Sequence, residues 1–140
     1  MTVHGRRLPL PAGTVRRVVR AVLAGEGRRR SAPLATVSVT FLGPERMRRL
    51  NARYKGADRP TDVLAFTLRP PRGPAVADIY ICAAVAAREA RAHTVPLRQE
   101  LVRLVVHGTL HVLGRDHPEG AGRTRSAMWR RQERYVEALA

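Results

Sequence analysis

The stretch HGTLHVLGRDH, residues 107–117, carries three histidines four and then six residues apart. A helix brings residues i and i+4 onto one face, with Cβ atoms roughly 6 Å apart, so His107 and His111 can grip one ion. Gly114 then lets the chain leave the helix and turn back, because glycine reaches a left-handed C-terminal conformation without a steric penalty. His117 is thereby free to supply a third nitrogen. The negative pole at the end of the helix favours a cation there. Three neutral nitrogens leave a fourth tetrahedral position open to water, which is the pattern of a catalytic rather than a closed structural site. An all-nitrogen tetrahedral set ranks zinc, one ion per chain, ahead of nickel, cobalt or copper. Three buried imidazoles without a ligand would need several other polar partners. The isolated His4 and His93 are read differently, as satisfied core residues.

The same stretch matches the metzincin pattern H-E-x-x-H-x-x-G-x-x-H at every fixed position except the glutamate, which is Gly108 here. Glycine cannot abstract a proton from water, so the usual peptidase base is missing. Inside a helix it also costs about 1 kcal/mol relative to alanine. Two explanations stand open: room for a bulky substrate, or close packing of the helix on a sheet.

The chain is 140 residues long and 44% hydrophobic, which suits a single domain over residues 1–140 with one real core. Cys82 is the only cysteine, which excludes an internal disulfide and a Cys-rich zinc site, and no disulfide-linked partner is expected. No apolar run approaches the ~20 residues of a membrane span. The basic start MTVHGRRLPLPAG lacks a signal peptide's apolar stretch of roughly 7–15 residues, so a cytoplasmic location is expected. Lys+Arg number 26 against 11 Asp+Glu, a formal charge of +15, and Lys55 is the only lysine. Arginine's planar fork matches phosphate, and the excess points to a nucleic-acid partner.

The elements that must position these groups are readable from periodicity. Val15, Val18, Val19, Val22 and Leu23 predict an amphipathic helix over 14–24. Alternation in ATVSVTFL (35–42) predicts a strand, followed by a helix over 43–54 with Pro44 in its first turn and Met47, Leu50 and Tyr54 on one face. Strands are predicted at 63–68 and 77–83, and helices at 84–93 and 97–113. The last of these, containing LVRLVV, is apolar over most of its circumference and is therefore central, with Gly114 ending it. A final amphipathic helix spans 122–139 with Met128, Tyr135 and Leu139 facing inward, and residues 1–8 form a possible edge strand. The class is α+β (α/β-like). A mixed sheet of three to four strands packs with about five helices, and the metal site lies at the C-terminal end of a central helix.

HGTLHVLGRDH, taken with LNARYKGADRPTDVLAF (50–66) and ADIYIC (77–82), resembles the YbeY family of bacterial endoribonucleases and ribosomal-RNA maturation factors. The strong motifs run from Leu50 to His117, and the flanking thirds agree in size and pattern. The resemblance implies a small sheet flanked by helices, with zinc on His107, His111 and His117. It implies metal-dependent cleavage of single-stranded RNA, serving 3′-end maturation of small-subunit ribosomal RNA and ribosome quality control in the cytoplasm. The family's usual arginine after the aromatic residue is Lys55 here, its serine before the phenylalanine is Ala65, and its Gly-Asp pair is Ala77-Asp78. Lys55 keeps the charge and loses the two-pronged phosphate grip.

On this reading Lys55 joins zinc in stabilising charge on the phosphoryl oxygens, and either water or an RNA 2′-hydroxyl attacks phosphorus. Asp116 either orients a ligand imidazole or moves a proton, or is a turn residue. Thr61 and Asp62 read first as backbone caps, and Asp78 is ambiguous. Arg53, Arg59 and Arg115 are candidates to line the RNA path. Two other classes remain: a non-catalytic, zinc-stabilised RNA-binding assembly factor, and a metalloprotease-like hydrolase, against which Gly108 and the positive charge both speak.

Overall fold

Alternation of Val37, Val39 and Phe41 with Thr36, Ser38 and Thr40 gives one strand a buried and a wetter face, and the rest of the sheet assembles on that division. The computed structural model describes residues 1–27, 34–114, 122 and 126–140. Among them the elements run β1 (Thr2–His4), α1 (Ala12–Gly25), β2 (Leu34–Leu42), α2 (Pro44–Lys55), β3 (Val63–Leu68), β4 (Ala75–Cys82), α3 (Ala83–His93), α4 (Leu97–Val112) and α5 (Ala127–Leu139). The sheet order is β1-β2-β4-β3, with β1 parallel to β2, β2 parallel to β4, and β3 antiparallel to β4. The architecture is the expected α+β fold, a four-stranded mixed sheet with five helices, and the edge strand near the N-terminus is present.

Register places Val39, Ile79 and Ala65 in one row across β2, β4 and β3. This face carries the larger core, built with Val15, Val18, Val19 and Val22 of α1, the apolar residues of α4, and Met128 and Val136 of α5. Leu64 and Cys82 point to the opposite face and pack with Leu42, Met47 and Val85 in a smaller cluster beneath α2. Cys82 is a buried free thiol within it. Among the described residues no helix is long and apolar enough to cross a membrane.

Helix ends follow their local chemistry. Pro44 opens α2 after an extended Gly43, and Gly56 (φ 70°) closes it in the left-handed region by donating its N–H to the Ala52 carbonyl. Gly114 (φ 91°) ends α4 as expected and donates to the His111 carbonyl. Three expectations change. The last helix begins at Ala127 rather than Gly122, because Ser126 takes an extended conformation and its Oγ accepts from the Trp129 N–H. Tyr54 is 53% exposed instead of core-facing, since Met47 and the buried Asn51 occupy that face of α2. His4 and His93 are exposed rather than core residues: one sits on an edge strand, the other in the last turn of α3 with its Nδ1 on the Glu89 carbonyl.

Helix α4 is the hub, packing against α1, α3, α5, β3 and β4. Its approach to the sheet decides between the two explanations of Gly108. A Cβ at that position would lie 2.6 Å from Cγ2 of the fully buried Ile79 in the middle of β4, so helix or strand would have to shift. The glycine therefore serves helix–sheet packing. Gly108→Ala is expected to destabilise the fold, because overpacking costs about 1–3 kcal/mol against about 1 kcal/mol gained in helix propensity. Urea unfolding would show a lowered midpoint. Combining it with Ile79→Ala should cost less than the sum of the two single changes. A Gly108→Ala protein as stable as the parent would remove this contact as the reason for the glycine.

Candidate metal centre

The last two turns of α4 carry His107 and His111 on one side, both half-buried, with ring centroids 6.3 Å apart and planes within 7° of parallel. The i, i+4 spacing thus delivers two imidazoles side by side, as expected from the sequence. His111 Nδ1 is buried and has no hydrogen-bond partner among the described residues. A buried polar nitrogen in that condition is costly unless a ligand satisfies it. The donor set of paired imidazoles and this orphaned atom both fit a metal ion. The described residues alone contain no group of three or more His, Cys, Asp or Glu able to hold one. His117, Asp116 and Arg115 lie outside the described residues.

His107 is tied to α5. Its Nδ1 lies 2.8 Å from Gln132 Oε1, and Gln132 is 1% exposed. Gln132 Nε2 donates to Glu133 Oε2 at 3.1 Å. Arg103, one turn before His107, forks onto Glu133 with Nε to Oε2 at 2.9 Å and Nη2 to Oε1 at 2.8 Å, while its Nη1 reaches Glu100 Oε2 at 2.8 Å. Burial pushes the Glu133 carboxyl up, but hydrogen bonds from Arg103 and Gln132 and the charge of Arg103 outweigh it and hold the group below the usual carboxylate range. The reciprocal bond to Glu133 raises Arg103 above its ordinary value, burial opposing. Sequence reading missed this row. The signal was present, since Gln132 sits between Met128 and Val136 at helical spacing, a polar residue in the middle of a buried stripe.

Strand β3 closes the site's other flank. Ala65 packs against the larger core on the α4 side, and Thr67 Oγ1 donates to the Val112 carbonyl at 3.3 Å, satisfying one of the last carbonyls of α4. The loop that feeds β3 is pinned from both ends. Buried Asn51 donates Nδ2–H to the Arg59 carbonyl at 2.9 Å, and Asp62 Oδ1 accepts the Val63 N–H at 2.8 Å while its carbonyl accepts from Cys82 N–H. Asp62 thus caps a backbone amide as read from sequence, while Thr61 Oγ1 donates to the Asp62 carboxylate at 3.4 Å rather than to the backbone.

Of the other candidates, the described ones sit on the last turn of α2, at Arg53 and Lys55, and on the loop after it, at Arg59. Lys55 is the exposed last residue of α2, the helix on the opposite sheet face. Arg53 lies over the Tyr54 ring, 5.3 Å from its centroid, and Arg59 is exposed. Tyr54, Phe66 and Tyr80 form a ring cluster on that same face, with centroids 5.1 and 6.1 Å apart. Burial chiefly, then the nearby Asp78 and Tyr54, raises the Tyr80 hydroxyl above its ordinary value.

A family model described as Endoribonuclease YbeY matches residues 6–140. A protein named Endoribonuclease YbeY from Alkalilimnicola ehrlichii is 43% identical over 112 residues, covering 76% of this chain and 66% of the relative. Its namesake from Moorella thermoacetica is 37% identical over 137 residues and 86% of each chain. A third, from Thermotoga maritima, is 35% identical over 74% of this chain and 67% of its own length. The chain thus spans about two thirds of the length of the first of these relatives. The solution structure of a Thermotoga maritima protein superposes with a TM-score of 0.63 at 26% identity, covering 99% of this chain and 89% of that one.

The lowered Glu133 carboxyl makes a prediction about acid. Its contribution to stability is full above the unfolded carboxylate value of about 4.3 and is lost as pH falls through the lower folded value. Glu133→Gln should therefore be less stable than the parent at neutral pH, and the gap should close as acid unfolding is followed from about pH 5 toward about pH 2. A gap that stays constant over that range would rule out the ion pair as its source.

Proposed function

The chain belongs to the YbeY family, and we propose from that premise that it is a metal-dependent endoribonuclease cutting single-stranded RNA, with the 3′ end of the small-subunit ribosomal-RNA precursor as substrate. Its proposed setting is ribosome maturation and quality control in the cytoplasm. The observation that carries the reading is the parallel His107–His111 pair with its orphaned buried nitrogen, at the end of a helix that is buried along most of its length.

In the proposed site His107, His111 and His117 hold one zinc ion, which when bound supplies Lewis-acid stabilisation of phosphoryl charge and acidifies water toward neutrality. The chain's own groups do the remaining work. Lys55 neutralises charge on the phosphoryl oxygens, while Asp116 orients an imidazole or carries a proton. Arg53, Arg59 and Arg115 hold the RNA backbone, supported by a formal charge of +15. A peptidase mechanism lacks its base, and the Gly108–Ile79 contact leaves no space for an acidic side chain at that position.

The test is metal analysis of the purified full chain together with cleavage of a precursor RNA fragment by the parent, His111→Ala and Lys55→Ala. His111→Ala should lose both metal and cleavage, and full cleavage by a metal-free variant would refute the proposal. Lys55→Ala should cut roughly 10–100-fold more slowly if the charge acts on the phosphoryl group. An unchanged rate removes Lys55 from the catalytic set. A zinc-loaded parent that binds RNA and never cuts it identifies a non-catalytic assembly factor.

A further inference from the structure

We propose that Gln132 is a positioning residue that selects the tautomer of His107, and that Glu133 and Arg103 aim it. The inference rests on the metal-holding role proposed above for His107. A glutamine amide on its own selects nothing, because a half-turn exchanges its oxygen for its NH2 and lets it face either form of an imidazole. The neighbouring groups remove that freedom. Arg103 forks onto Glu133 with two nitrogens and anchors its third on Glu100, so the Glu133 carboxylate is fixed in place. An ionised carboxylate only accepts, hence the Gln132 face toward Glu133 Oε2 must be the NH2. Oε1 is then turned to His107 and can only accept. The proton of neutral His107 is therefore placed on Nδ1, and Nε2 keeps the lone pair that a metal needs.

Two further facts argue that this is an arrangement built for direction. Adjacent residues on a helix do not normally face each other, yet Gln132 and Glu133 are hydrogen-bonded across their side chains. The pull of Arg103 from α4 is what draws Glu133 back toward its neighbour. Gln132 is also 1% exposed, so water does not compete for its amide.

The experiment uses the uniformly 15N-labelled full chain, stripped of metal and then titrated with zinc alone. Long-range proton–nitrogen correlation spectra of the stripped parent should show neutral His107 with its proton on Nδ1. A proton on Nε2 would overturn the proposal without reference to any variant. Gln132→Met should bind zinc about 10–100-fold more weakly in chelator competition and lose the pure Nδ1–H form. A Gln132→Met protein with parental zinc affinity and tautomer sinks the idea. Should Gln132→Met fail to fold, Glu133→Gln decides, since losing the fixed acceptor should leave His107 as a mixture of tautomers. A parent that takes up no zinc would count against the proposed metal chemistry, while the tautomer of the stripped chain would still judge Gln132.

Discussion

Backbone against side chain, at Gly108 and Ile79, is the contact that sets where everything else can be. Because position 108 has no Cβ, α4 can press onto β4 closely enough to be enclosed by α1, α3, α5 and the sheet together. A helix so enclosed has little tolerance for polar groups along its buried length, and several of those it carries there have definite partners. Thr109 bonds back to the Val105 carbonyl, and Arg103 is divided between Glu100 and Glu133. His107 leans on Gln132, which leaves His111 Nδ1 as the atom that the described surroundings do not satisfy.

The second constraint is electrostatic. The chain has few acids, and several of the buried or half-buried ones are used to hold helices rather than to offset the surface charge. Glu26 is 2% exposed and receives Arg131 Nε at 2.6 Å and the Tyr135 hydroxyl at 2.8 Å, which ties α5 to the end of α1. Glu100 and Glu133 bind Arg103 and tie α5 to α4. At the surface, the exposed Glu45 and Asp58 both pair with Arg48, linking α2 to the loop after it by a weaker, solvent-screened contact. These arginines are structural, and the basic surface offered to a polyanion is made by others.

The sequence made the architecture legible where periodicity was strong. The strand alternation around Val37–Phe41, the buried run around LVRLVV and the glycine stop at 114 all correspond to observed elements. Single residues were less legible. Tyr54 fits a helical stripe on α2, yet Asn51 takes the buried place because its side chain is needed to hold the Arg59 carbonyl. Isolated histidines do not announce their burial, and His4 and His93 are exposed. Of the site, the imidazole pair follows from i, i+4 spacing within one helix, whereas Gln132 and Glu133 arrive from an element that periodicity orients but does not place. Gly108 could be read two ways from sequence because its neighbour, Ile79, is distant in the chain and close only in the fold.

The link between α4 and α5 also joins distant parts of the chain. In a single small domain the elements form and melt together, so contacts among α1, α4 and α5 are gained and lost as one. Glu26, buried near the end of α1, bonds Arg131 and Tyr135 of α5, and Gln132 of the same helix meets His107 of α4. Loosening α5 would therefore take two partners from a buried carboxylate and the amide contact from the first imidazole in one step, coupling the integrity of the fold to the imidazole pair.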